Sequence, residues 1–274
     1  RYQLEAEVYD ARSLKAALDF AEHVADAPAV HIKLDTGMHR LGFMPDQVPK
    51  LLEDLRGTKK LRVASILSHL DASEDPAHDA FTREQIDLFH SMSQTIIAVL
   101  GYSPLLHIAN SAGTTRFPEA RFDMVRLGIG LHGIGADAKE TALLRPVETL
   151  RTVIAQVKEI PAGDSVSYGR KARITTPTRI AVLPIGYADG LSRKLGEGNG
   201  RVWIAGKEAR TIGAICMDMC MVDVTHIPCA PGDDAIVFAP EHPVQDYARD
   251  LGTIPYEALT AISPRVKRVF VNGG

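Results

Sequence analysis

Two rhythms of apolar and polar positions divide the chain. From residue 10 to about 143, helical periods alternate with short apolar runs. Leu14, Ala17, Leu18, Ala21 and Val24 recur at the spacing of one helix face, and residues 30–34 follow as a buried strand that breaks at Asp35-Thr36-Gly37. Val48, Leu51, Leu52 and Leu55 mark the next helix, and residues 63–67 the next strand, ending at Ser68-His69. Pro76 suits the first turn of a helix. Phe81, Gln85, Phe89, Met92, Ile96 and Val99 then trace a long helical face. Residues 105–109 read as a strand closing on Asn110-Ser111, and Met124-Val125 leads into Arg126-Leu-Gly-Ile-Gly130. Strand, polar loop and helix in repetition predict parallel strands with right-handed crossovers. The repeat shows no reversal, which favours a (partial) TIM-type β/α barrel over an open sheet and places the chemistry at the C-terminal strand ends.

After Pro146 the runs shorten and become β-branched: residues 152–157, 179–183, 201–204, 212–215, 221–224 and 235–238. Turn signals such as Ala162-Gly163-Asp164 and Pro231-Gly-Asp-Asp234 separate them. This predicts an α/β barrel portion over residues 1–143 and a C-terminal all-β domain over 144–274.

Composition narrows the class. The chain has 274 residues, 45% hydrophobic and 24% charged, an ordinary globular balance that excludes disordered and low-complexity classes. The net charge of −3 calls for neither nucleic acid nor an anionic membrane. Apolar runs of about six residues fall far short of the roughly 20 that span a bilayer. Three cysteines (Cys216, Cys220, Cys229) form an odd set whose spacing, with the histidines, suits no metal motif, and a reduced cytoplasmic compartment is expected. The chain opens at Arg1 inside Arg-Tyr-Gln-Leu-Glu-Ala-Glu, with no secretory signal features.

Polar groups gather at the expected strand ends: Lys33 with Asp35 and Arg40, His69 with Asp71, Asn110 with Ser111, and Arg126 with Gly128 and Gly130. Capping and loop solvation account for any one of them. Four convergent ends point further, to a mouth that holds an anionic, phosphorylated ligand. The Gly128-Ile129-Gly130 backbone is able to approach phosphate closely. Tyr168, Tyr187 and Tyr256, each beside glycine or proline, are turn-packing residues or acid/base groups at a cleft.

These segments resemble the alanine racemases. Lys33-Leu-Asp-Thr-Gly-Met-His-Arg40, Ser68-His69-Leu, His107-Ile-Ala-Asn-Ser111 and residues 122–130 are similar to that family's barrel motifs. Val166-Ser-Tyr168-Gly, Ile185-Gly-Tyr187-Ala-Asp-Gly190, Ile215-Cys-Met217-Asp218-Met and Ile254-Pro-Tyr256-Glu257 are similar to those of its β-domain. The matches run in order along essentially the whole chain.

The resemblance implies a pyridoxal 5'-phosphate-dependent isomerase that interconverts L- and D-alanine by two bases for peptidoglycan precursors, as a homodimer with shared active sites. It implies Tyr168 as the base for one enantiomer, reaching the partner's site. Arg126 would face the pyridine nitrogen, and His69 would bond Arg126 and link it toward Tyr168. Ser111, Gly128, Ile129 and Tyr256 would hold the phosphate, with Asn110 in support. Arg40 would touch the cofactor's phenolic oxygen and the substrate carboxylate, which Met217 of the partner would bind through its backbone beside Asp218. Lys33, carbamylated in some members, would position Arg40, and Tyr187 would narrow access.

The physics is coherent. The cofactor supplies the carbanion chemistry. A tyrosine, with a reference pKa of about 10, needs nearby cations to act as a base. An arginine beside the ring nitrogen does not give up a proton there, so it restrains the electron sink and with it decarboxylation and transamination.

One element of the family pattern is missing. The Schiff-base lysine of the resemblance sits in a segment like Val-Lys-Ala-Asp-Ala-Tyr-Gly, and none of the eleven lysines here has that context. The chain is expected to lack about three βα units, to retain about five of eight strands, and to be inactive and poorly stable alone. The competing readings are a broad-specificity or serine racemase, a pyridoxal-phosphate decarboxylase, which Arg126 argues against, and a non-catalytic module of the same fold.

Overall fold

A computed structural model describes residues 4–58 and 60–271. Arg1, Tyr2 and Gln3 of the opening segment and Lys59 lie outside the described residues. The chain forms two compact units, Arg1–Arg145 and Pro146–Gly274.

The first unit runs β1 (Ala6–Val8), α1 (Ala11–His23), β2 (Val30–Lys33), α2 (Val48–Arg56), β3 (Val63–Leu67), α3 (Asp79–Leu100), β4 (Leu105–His107), α4 (Ser111–Arg116) and a short α5 (Ala138–Thr141). Local chemistry sets the helix ends. Asp10 caps α1 by accepting from the Ser13 amide at 2.7 Å, while the Ser13 hydroxyl oxygen accepts from the Asp10 amide at 3.1 Å. Gly101, left-handed at φ 72°, ends α3.

The strands are parallel in the order β1-β2-β3-β4. In-register pairing sorts their side chains by face. Val8, Ile32, Ile66 and Leu106 align on one face and are buried in one cluster with Leu14, Leu51, Phe89 and Ile96 of the helices. Glu7, His31, Lys33, Ser65, Leu67 and His107 alternate onto the other face. The strands are therefore apolar on one side only, where the sequence suggested strands buried in apolar surroundings. The polar face is tolerated because its groups bond to one another.

The sheet has four strands among the described residues, not five. Residues 123–126 run beside β4, with the Asp123 amide donating to Leu106 O and the Arg126 amide to Ala109 O. The Leu106 amide is taken by the Asp123 carboxylate at 2.8 Å, so no ladder forms there.

The second unit contains β5 (Leu150–Val153), β6 (Gln156–Ile160), β7 (Ser165–Val166), β8 (Ala172–Arg173), β9 (Thr178–Leu183), β10 (Arg201–Ile204), β11 (Lys207–Arg210), β12 (Cys220–Asp223) and β13 (Asp234–Phe238). Its sheets, β11-β10-β13-β5, β12-β9-β6 and β7-β8, are antiparallel. The expectation of an all-β domain needs one correction: α6 (Val244–Leu251) and α7 (Pro255–Thr260) follow the last strand. Val244, Tyr247, Ala248 and Leu251 of α6 are buried, the i, i+3, i+4, i+7 pattern of a helix face.

Candidate active site

In the first unit the predicted residues stand at the ends of β2, β3 and β4. After β2 the chain folds back on itself: the Asp35 amide donates to Phe43 O and the Phe43 amide to Lys33 O. The buried Asp35 carboxylate accepts from the amides of Gly37 and His39, both at 3.0 Å, and shapes the loop that displays Arg40. Gly42, at φ 134°, is required there, since a Cβ would come within 2.5 Å of the Asp35 nitrogen.

Lys33 departs from expectation. Its Nζ donates to Glu7 Oε1 at 3.2 Å, and no hydrogen bond or ion pair joins it to Arg40 among the described residues. An ammonium is repelled by a guanidinium and attracted by a carboxylate, and the register puts Glu7 and Lys33 on one face of neighbouring strands.

Arg126 is the most constrained cation of the unit. Its Nη2 donates to Ser68 O at 2.6 Å, to His69 Nδ1 at 3.0 Å and to Ile108 O at 3.3 Å. Its Nη1 donates to His107 Nδ1 and to His107 O. Among the described residues it has no carboxylate partner, and its Nε–H has no acceptor. Burial lowers its affinity for a proton and the nearby Glu7 charge partly restores it. Burial, then the Arg126 charge, with Arg40 and Lys33 adding to it, holds His69 at about 4 against an ordinary 6.5. Burial, Arg126 and His31 hold His107 at about 4 likewise. Both rings are neutral near pH 7 and accept from the guanidinium.

Asn110 caps α4, its side-chain oxygen accepting from the Gly113 amide at 2.8 Å. The next residue, Ser111, is buried, and its hydroxyl accepts from the amides of Gly128 at 2.9 Å and Gly130 at 3.2 Å. A Cβ on Gly130 would sit 3.4 Å from that oxygen. Ser111, Gly128, Ile129 and Gly130 are thus drawn together.

In the second unit, Tyr168 is 75% exposed. It follows Ser167, which is held at φ 70° with its hydroxyl donating to Ala214 O at 2.9 Å. Tyr168 and Met217 line one cavity of about 500 Å³ with Ser167, Cys216, Asp218 and Met219. The Tyr187 loop lies directly on the Met217 loop. The Tyr187 amide donates to Cys216 O and the Ala188 amide to Met217 O, both at 3.0 Å. A Cβ on Gly186 would come within 2.4 Å of both carbonyl oxygens. The Met217 N–H has no acceptor among the described residues. Arg265 fastens the two loops, donating from Nε to Asp189 at 2.7 Å and from Nη2 to Asp218 at 2.6 Å. Tyr256 lies on α7, half-exposed.

Two residues were missed in the sequence. His107 opens the His107-Ile-Ala-Asn-Ser111 segment, whose sequence carries no sign of its bond to Arg126, because residues 123–126 come to lie beside β4 only in the fold. Arg265 lies outside every motif and 47 residues from Asp218.

The donor set fits pyridoxal phosphate. The Ser111 oxygen accepts from the Gly128 and Gly130 amides, which leaves its own O–H as a donor suited to a phosphate oxygen, and a guanidinium with one unspent N–H is suited to a ring nitrogen.

Parallel strands with polar C-terminal ends, joined in sequence to an antiparallel β-rich unit, define a two-domain protein of the β/α-barrel class. Residues 1–136 match the family described as alanine racemase, N-terminal domain, and residues 147–270 the alanine racemase C-terminal domain. The alanine racemase of Desulfovibrio desulfuricans is 38% identical over 246 residues, covering 88% of this chain and 66% of that protein. That of Clostridium perfringens is 38% identical over 278 residues, covering 98% and 71%. The crystal structure of alanine racemase from Streptomyces lavendulae superposes with a TM-score of 0.91 at 32% identity, over 99% of this chain and 73% of that one. The Bartonella henselae enzyme, solved with covalently bound pyridoxal phosphate, gives 0.86 at 28% identity, over 98% and 74%. The chain belongs to the alanine racemase family and spans about two thirds to three quarters of the length of these relatives.

Proposed function

We propose that this chain provides most of the active-site groups of an alanine racemase that interconverts L- and D-alanine with pyridoxal phosphate. The observation that carries the proposal is the clamp on Arg126: carbonyl oxygens and two neutral imidazoles take up Nη1 and Nη2 and leave Nε–H unspent.

When bound, pyridoxal phosphate draws electrons from the amino acid and acidifies its α-proton. Arg126 donates to the ring nitrogen and keeps its own proton, which limits electron withdrawal and so disfavours decarboxylation and transamination. Ser111, Gly128 and Ile129, with Tyr256, hold the phosphate, the Ser111 hydroxyl as a donor whose oxygen is steadied by the Gly128 amide. Arg40 and the Met217 N–H bind the substrate carboxylate, and Tyr187 narrows access. Tyr168 removes or returns the α-proton on one face.

Tyr168, Met217 and Met219 are all exposed around one cavity, which supports a homodimer in which a second copy covers this face. No helix among the described residues is long and apolar enough to cross a membrane, and all three cysteines are free thiols. We place the enzyme in the cytoplasm, supplying D-alanine for peptidoglycan precursors.

The other base of the two-base scheme is a lysine, and no lysine of the 274 residues has its motif. The chain alone is therefore proposed to be inactive, and the parent enzyme active. Chiral chromatography of L- and D-alanine incubated with the parent enzyme and pyridoxal phosphate tests the assignment. Interconversion supports it; binding of the cofactor without interconversion of any amino acid favours a non-catalytic module.

A further inference from the structure

On the polar face of the parallel sheet, four side chains lead away from Arg126 in series. His107 Nδ1 meets Arg126 Nη1, and His107 Nε2 lies 3.0 Å from Ser65 Oγ. Ser65 Oγ lies 2.7 Å from His31 Nδ1, and His31 Nε2 lies 2.9 Å from Glu5 Oε2. The register makes this possible, since His31 pairs with Ser65 across β2 and β3. Ser65 and His107 are 2% and 4% exposed, so water does not substitute for these bonds. The other charged groups here are Lys33 and Glu7, paired with each other, and Arg62, 3.8 Å from Glu5 Oε1.

Donor chemistry fixes each proton. A guanidinium donates only, so His107 Nδ1 is bare and the neutral ring carries its proton on Nε2. That proton goes to Ser65 Oγ. In the neutral His31 ring whose Nε2–H donates to the Glu5 carboxylate, Nδ1 is the acceptor for the Ser65 hydroxyl. All four bonds point from the cation to the anion, an alignment in which each bond strengthens the next.

We propose that Glu5, His31, Ser65 and His107 are positioning residues whose one-way hydrogen-bond series holds the Arg126 guanidinium in place as a donor and fixes the direction of its Nε–H. The purpose of that direction rests on the reading of Arg126 as the partner of the cofactor's ring nitrogen. Glu5 sets the polarity of the series. Without it, His31 is free to take either tautomer, and the reversed series turns a His107 N–H against an Arg126 N–H.

Side-chain nitrogen NMR of the ¹⁵N-labelled full chain at pH 7, without cofactor, tests this. Both rings are expected as Nε2–H tautomers, with slowly exchanging ring protons and resolved Arg126 Nη resonances. Ser65→Ala should lose the protected His107 ring proton and merge the Nη lines. Glu5→Ala should produce a mixture of His107 tautomers and narrow the Nη separation, although Glu5 does not touch either residue. Glu5→Gln, whose amide oxygen accepts from Nε2–H, should restore the wild-type pattern. Glu5 is partly exposed, so its variants carry the test even where Ser65→Ala does not fold.

The proposal is overturned by a His107 proton on Nδ1 in the wild type. It is equally overturned by unchanged His107 and Arg126 signals in Glu5→Ala, or by Glu5→Gln behaving as Glu5→Ala. A series that reads as expected, with an Arg126 Nε resonance that does not move when pyridoxal phosphate is added, upholds the series and counts against the cofactor reading.

Discussion

His69 and His107 are held near 4 by burial and by Arg126, against 6.5 for a free imidazole. Between those values the unfolded chain binds protons that the folded chain refuses. Stability contributed by the neutral rings is complete above about pH 6.5 and is lost as the pH falls toward 4. The buried His107 ring accounts for on the order of 2 kcal/mol of that loss. Urea midpoints measured from pH 7.5 to 4.5 should fall steadily, and less steeply in His107→Gln; parallel curves would contradict the assignment. Arg126→Glu offers a carboxylate where a guanidinium stood. In the parent enzyme it should raise the ratio of transamination to racemisation, read as pyridoxamine phosphate formed per alanine racemised. Tyr168→Phe should slow proton removal from one enantiomer by at least about a hundredfold, the usual worth of a general base, while the opposite face keeps its own base. Substrate hydrogen–deuterium isotope effects taken in each direction separate the two faces, and equal mild losses would remove Tyr168 from the mechanism.

At the scale of elements, the apolar face of the sheet is held by helices whose buried positions were legible as spacing alone. Phe89 is fully buried in α3, and Phe89→Ala should destabilise the first unit by about 3–5 kcal/mol in equilibrium denaturation. The turn at Gly42 was not legible, because its positive φ and the backbone it touches belong to β2 and its return. The polar face was hidden for the same kind of reason. A run such as Val30-His-Ile-Lys reads as apolar with interruptions until register shows His31 beside Ser65 and Lys33 beside Glu7. Residues 123–126 carry strand-like composition, yet a side-chain acceptor at Asp123 takes the amide a ladder needs. In the second unit, α6 had a helical pattern that the preceding β-branched rhythm concealed.

At the scale of the whole molecule, the chain divides into two units with different sheet types, and each carries some of the residues proposed for the site. Neither unit contains the full set. Arg126, His69, Ser111 and Arg40 belong to the first, and Tyr168, Met217, Tyr187 and Tyr256 to the second. The proposed homodimer, in which Tyr168 serves the partner's site, predicts that activity depends on a second copy. Specific activity of the parent enzyme should fall on dilution in step with dimer dissociation measured by sedimentation velocity. Borohydride reduction with pyridoxal phosphate should leave Lys33 unlabelled, since that ammonium is engaged by Glu7.

The order of motifs along the chain determined the family and the alternation of strand and helix, because these depend on residue type and spacing within short segments. Tertiary structure alone decided which partners each charge meets. The bonds of Arg126 to His107, of Lys33 to Glu7 and of Arg265 to Asp189 and Asp218 join residues 19 to 76 positions apart, and strand register and loop packing choose among acceptors that a linear sequence presents as equivalent.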